Sequence, residues 1–126
     1  MAKKLGAATP ILRMFDIQKT REFYIEYLGY KVDWEHRFEP RFPLYMQVSR
    51  DGSRLHLSEH HGDGCPGQHL RIQVEGIEQF HAELKSKEYG YMNPGLETQE
   101  WGERSVTVID PVGNHLTYWE TIEKET

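Results

Sequence analysis

Cysteine is nearly missing from this 126-residue chain. Cys65 stands alone, so no disulfide can form within the chain, and the expected setting is a reducing one, the cytoplasm. Long hydrophobic runs are also missing. The longest stretch free of Asp, Glu, Lys and Arg is Pro111–Trp119, far short of the ~20 apolar residues a membrane-spanning helix needs. No apolar signal-peptide core follows Met1-Ala2-Lys3-Lys4, and no membrane partner is expected. A basic excess is lacking too: 15 Lys and Arg face 20 Asp and Glu, a net charge of −5. That balance disfavours nucleic acid, which requires a basic face, and its field favours a cationic ligand. No phosphate-cradling glycine loop, zinc-type cysteine pair or Ser–His–Asp order is found.

Aromatic residues are present in quantity. Three Trp, seven Tyr and five Phe are spread along the chain, which argues for a folded core. The length suits one domain, expected over residues 8–122. Thr9–Met14 reads as a strand. Thr20, Phe23, Tyr24, Tyr27 and Leu28 then fall on one helical face, and Gly29 closes that helix as a left-handed cap. Tyr30–Arg37, Leu44–Ser49 and Ser53–Ser58 follow as strands, with Asp51-Gly52 as a hairpin turn. The loop from His60 to Gly67 holds three glycines and a proline and is the natural boundary between two halves.

The second half repeats the order. His69–Val74 is a strand, Ile77, Phe80, His81 and Leu84 have helical spacing, and Leu96–Trp101 pairs with Arg104–Ile109. Asp110-Pro111-Val112-Gly113-Asn114 is a turn, and His115–Glu120 is the last strand. The expected class is α+β: two βαβββ modules, residues 9–59 and 68–120, forming a curved mixed sheet with a concave cleft. Strand alternation puts Leu55 and Leu57 opposite His56 and Ser58. It likewise puts Leu70, Ile72 and Val74 opposite His69, Arg71 and Gln73, and Leu116 and Tyr118 opposite His115, Thr117 and Trp119. The apolar faces should meet the helices. The other faces then line a cleft or form a solvated outer surface, and Trp119 favours the cleft because a large aromatic is costly to leave in water.

In this order and spacing the chain resembles the vicinal oxygen chelate superfamily, within it the glyoxalase and bleomycin-resistance proteins. The resemblance rests on Thr9-Pro10-Ile11-Leu12-Arg13 leading to Asp16-Ile17, and on Phe23-Tyr24 with Tyr27-Leu28-Gly29. It continues through Leu55-His56-Leu57-Ser58, His69-Leu70, Trp101-Gly102 and Asp110-Pro111-Val112-Gly113-Asn114. The two ends of the chain look most like the drug-sequestering branch. The resemblance implies paired βαβββ modules, a homodimer and, in enzyme members, a divalent metal in the cup. The metal positions it implies fall on Thr9, His56, His69 and Thr117, a set with two imidazoles and no anionic donor. The expectation is therefore no cofactor and no catalytic residue. A metal-dependent glyoxalase or dioxygenase using His56 and His69 is the alternative, and a binding module of unknown ligand is another. The expected ligand is a small, cationic, aromatic molecule held in a cleft at a dimer interface by Trp34, His56, His60, His61, Asp63, His69, Trp101, Thr117 and Trp119. The segment before Pro10 is expected to cross to the partner, because nothing in Met1–Ala8 can build its own packing.

Overall fold

The structure is a computed structural model that describes residues 3–37, 39–90 and 92–122. Its first strand, β1 (Ile11–Arg13), is shorter than the expected Thr9–Met14. Pro10 has no N–H to give a ladder, although its carbonyl accepts from His56 N at 2.9 Å. Residues 3–10 are largely exposed and belong to no helix or strand. Asp16 caps helix α1 (Ile17–Arg21), its carboxylate accepting from Lys19 N at 3.0 Å. The helix then widens into a π-helical segment, Glu22–Tyr27, in which Leu28 N reaches back to Phe23 O. That segment buries Phe23, Tyr24 and Tyr27. Gly29, at φ 78°, ends it. A side chain there would strike the Arg50 guanidinium.

Strands β2 (Lys31–His36), β3 (Tyr45–Arg50) and β4 (Ser53–Ser58) complete the first module. The sheet order is β1-β4-β3-β2, with β1 parallel to β4 and the other pairs antiparallel. The second module repeats it with β5 (His69–Gln73), α2 (Ile77–Ser86), β6 (Glu97–Gln99), β7 (Glu103–Ile109) and β8 (His115–Thr121). Its order is β5-β8-β7-β6, with β5 parallel to β8. The architecture is thus α+β, two four-stranded mixed sheets from two βαβββ modules. Gly76 cannot cap α2 with a side chain, so Glu120 on β8 does so from across the fold. Its carboxylate accepts from Gly76 N and Ile77 N at 2.8 and 3.1 Å. Those two N–H groups hold the Glu120 carboxyl below its ordinary pKa.

The modules meet through one core. Leu12, Met46, Leu55 and Leu57 of the first sheet and Val106, Val108, Leu116 and Tyr118 of the second belong to the same buried cluster as Phe23, Tyr24, Ile77 and Leu84. Tyr30 Oη lies 2.9 Å from Tyr118 Oη, and the Phe80 and Tyr118 rings are 4.6 Å apart. Tyr24 donates to the Asp110 carboxylate at 2.7 Å. Arg50 grips Glu83 of α2 through two bonds, of 2.6 and 2.8 Å. Tyr30 precedes β2, the edge strand farthest from β1. The sheets are therefore joined through their apolar faces and not side by side along β1 and β5. The outer edge of β1 is covered by the intermodule loop instead, since a Cβ on Gly64 would lie 2.7 Å from Ile11 O and 3.1 Å from Arg13 N.

Candidate functional site

Strand alternation sends one side of each sheet into the shared core and the other side out. The face assignments made from the sequence hold: Leu55, Leu57, Leu116 and Tyr118 are buried in the core. His56, His69, Thr117 and Trp119 sit on the opposite faces. The structure divides them between the sheets, His56 on the first and the other three on the second. Among the described residues no hydrogen bond or ring contact joins His56 to the other three. A single chain therefore carries its candidate residues on two different sheets, whose apolar faces share one core.

On the first face a row of cross-strand neighbours runs Ile11, His56, Gln47, Trp34. Trp34 is 42 % exposed and lies nearly parallel to Tyr45, at 12° with ring centroids 5.9 Å apart. The His56 ring stands edge-on to both, at 5.3 and 5.2 Å. Both nitrogens of His56 are engaged, Nδ1 with Tyr45 Oη at 2.7 Å and Nε2 with Gln47 Oε1 at 3.0 Å. Burial holds the His56 imidazolium below its ordinary pKa. Gln47 Nε2 continues to Asp33 Oδ2 at 2.9 Å. The β2–β3 register shifts between Val32 and Trp34, so Asp33 sits on a bulge that aims its carboxylate at Gln47 and Ser49.

The loop after β4 folds against this face. Arg13 donates to His60 O at 2.6 Å, and Ser58 Oγ donates to Asp63 Oδ2 at 2.9 Å. The His60 ring lies 6.4 Å from Tyr45, whereas His61 is exposed. Burial, and then the Asp63 carboxylate, push the Tyr45 phenol up.

The second face is more polar. His69 Nε2 lies 2.9 Å from Thr117 Oγ1, which lies 2.9 Å from Thr107 Oγ1. The Arg71 guanidinium stacks 5.2 Å over Trp119 and pairs with the buried Glu103 carboxylate. The His115 ring is 5.7 Å from His69 and bonds Gly113 O through Nδ1. Trp101 stands apart at the β6–β7 turn, 68 % exposed, and joins neither group. Sequence reasoning did not single out Tyr45 or Gln47, although the alternation of Leu44–Ser49 carries a signal for both, and nothing local announces the bulge at Asp33.

The metal implied by the family resemblance was tested on the donors themselves. Thr9 is exposed, both nitrogens of His56 are engaged, and His69 Nε2 is engaged by Thr117. Among the described residues no three His, Cys, Asp or Glu side chains cluster as a metal site would require. These residues do not fit a catalytic divalent ion.

The chain matches a family model described as "Glyoxalase superfamily protein" over residues 4–125. It is 29 % identical to the bleomycin resistance proteins of Geobacillus stearothermophilus and Staphylococcus aureus over 132 aligned positions, covering 90 % of this chain and 96 % of theirs. Among solved structures, the bleomycin resistance determinant encoded on the transposon Tn5 superposes with a TM-score of 0.72 at 23 % identity, covering 93 % of this chain and 98 % of that one. The bleomycin-binding protein of the bleomycin-producing Streptomyces verticillus, complexed with copper(II)-bleomycin, does so at 0.66 and 26 % identity, covering 98 % and 100 %.

Proposed function

This chain belongs to the glyoxalase superfamily, and on that premise we propose that it is a non-catalytic receptor that binds and sequesters a small, aromatic, cationic molecule of the bleomycin class. The observation that carries the reading is the Trp34–Tyr45 pair, two near-parallel rings on an outward face with Trp34 42 % exposed. A flat ring gains dispersion and stacking there, and a cation gains from the Asp33 carboxylate beside it and from the net charge of −5. Relatives that carry the bleomycin-resistance name at 29 % identity support the same class. The lack of a fitting metal donor set argues against a lyase or dioxygenase.

The cleft needs two walls, and each chain offers its two faces apart. We therefore assign the second wall to a second copy: the first face of one chain opposes the second face of its partner in a homodimer. Calorimetric titration with metal-free bleomycin tests the function. Binding with one site per chain is expected, and Trp34→Ala should weaken it by about tenfold, roughly 1.4 kcal/mol. Absence of heat, or unchanged affinity in Trp34→Ala, refutes it.

Mixing chains tests the composite cleft. Trp34→Ala and Trp119→Ala homodimers should both bind poorly. Their heterodimer should regain one intact cleft, because one of its clefts takes both undamaged walls. A cleft built within one chain gives no such recovery.

A further inference from the structure

The hydrogen bonds of the first face form a directed chain, and its direction can be read from its end. A carboxylate accepts and never donates. Asp33 therefore takes protons from both its partners, Gln47 Nε2 at 2.9 Å and Ser49 Oγ at 3.0 Å. With its amino group committed, Gln47 turns its oxygen to His56 Nε2 at 3.0 Å. An oxygen at that distance requires the proton on Nε2. A neutral imidazole has only one proton to place, so Nδ1 carries a lone pair. Tyr45 Oη, 2.7 Å away, must then donate to it. The Tyr45 hydroxyl hydrogen points inward along the sheet, and only lone pairs remain for anything resting on the Trp34–Tyr45 rings.

We propose that Asp33 is a positioning residue that fixes this Asp33–Gln47–His56–Tyr45 chain in one direction, so that Tyr45 meets the ligand as an acceptor and selects an aromatic cation that donates hydrogen bonds, an amine, amidine or protonated ring nitrogen. The inference rests on the reading of the first face as a ligand wall. Two further features agree with it. Ile11, the β1 neighbour of His56 on this face, is apolar and supplies no competing donor. Burial keeps His56 in the neutral form the chain requires.

Long-range proton–nitrogen NMR of the histidine rings, at mildly alkaline pH, reads the chain directly. The expected His56 signal is the Nε2–H tautomer; Nδ1–H overturns the proposal. Gln47→Met keeps the Asp33 charge and cuts the chain, so the tautomer should become mixed; a tautomer unchanged in that variant also overturns it. The ligand arm uses benzamidine and benzoate, the same ring with opposite charge, followed on the Trp34 indole signal. Benzamidine should bind at least about tenfold more tightly, and Gln47→Met should narrow that gap. Three results refute the selection: no response to benzamidine, an equal or reversed preference, or a gap that survives Gln47→Met but vanishes in Asp33→Asn, since charge alone would then decide. A protein that takes benzamidine on Trp34 but refuses bleomycin retires the bleomycin-class reading and leaves this one standing. A His56 proton on Nδ1 does the reverse.

Discussion

His56 is held by neutral partners on both ring nitrogens, and its pKa is lowered by burial. The carboxylates near this cluster, Asp33 behind Gln47 and Asp63 near Tyr45, do not offset that burial. The unfolded chain then binds a proton at His56 more readily than the folded one. Stability from this group is undiminished above the ordinary histidine value of about 6.5 and falls as pH drops from there toward the folded value. A melting series from pH 7.5 down to pH 5 should show wild type losing stability faster than His56→Gln, which cannot titrate; parallel curves refute this. At this scale much of the site was legible. The letters Leu55-His56-Leu57 place His56 on the outward face, and the structure keeps it there. What the letters could not supply is its company. Gln47 meets His56 only because β3 and β4 pair in the register that the Asp51-Gly52 turn imposes.

At the scale of elements, the tight turns and the start of α1 follow local chemistry closely. The strand expected at Ser53–Ser58 is found with those bounds, and Asp110 closes its turn by accepting from Val112 N and Asn114 N at 2.9 Å each. Departures come where a distant segment intervenes. The first helix widens into a π-helical segment as it packs three aromatics into a core that both modules share. The intermodule loop covers the edge of β1, and Gly64 lies close against its backbone. Gly64→Ala combines a positive φ of 68° with backbone atoms at 2.7 and 3.1 Å that cannot yield as a flexible side chain would. It should cost about 2–4 kcal/mol in chemical denaturation. Gly62→Ala has a positive φ of 94° but open space, and should cost only about 1 kcal/mol. Equal costs would show that the loop does not seal this edge.

For the molecule as a whole, the shared core makes the two modules one cooperative unit. Tyr30–Tyr118, Tyr24–Asp110 and Arg50–Glu83 all cross between them. Far-ultraviolet circular dichroism and tryptophan fluorescence should therefore report one coincident transition in denaturant. Leu116→Ala, buried in an inner strand of the second sheet, should cost about 2–5 kcal/mol of stability and shift the midpoint of both signals together. Two separated transitions would mean that the modules fold independently. The same joining through apolar faces sends the two outward faces apart, which is why the proposed cleft calls for a second chain.

The sequence by itself determined the two βαβββ modules, the faces of their strands and the chemistry each face carries. Alternation, glycine conformations and turn residues act over a few positions and can be read in order along the chain. The tertiary structure alone decided how the two sheets meet, which separated His56 from His69, and which partners each imidazole has. Those outcomes depend on packing between residues as far apart as Tyr30 and Tyr118, and no local pattern encodes the side on which two apolar faces will close.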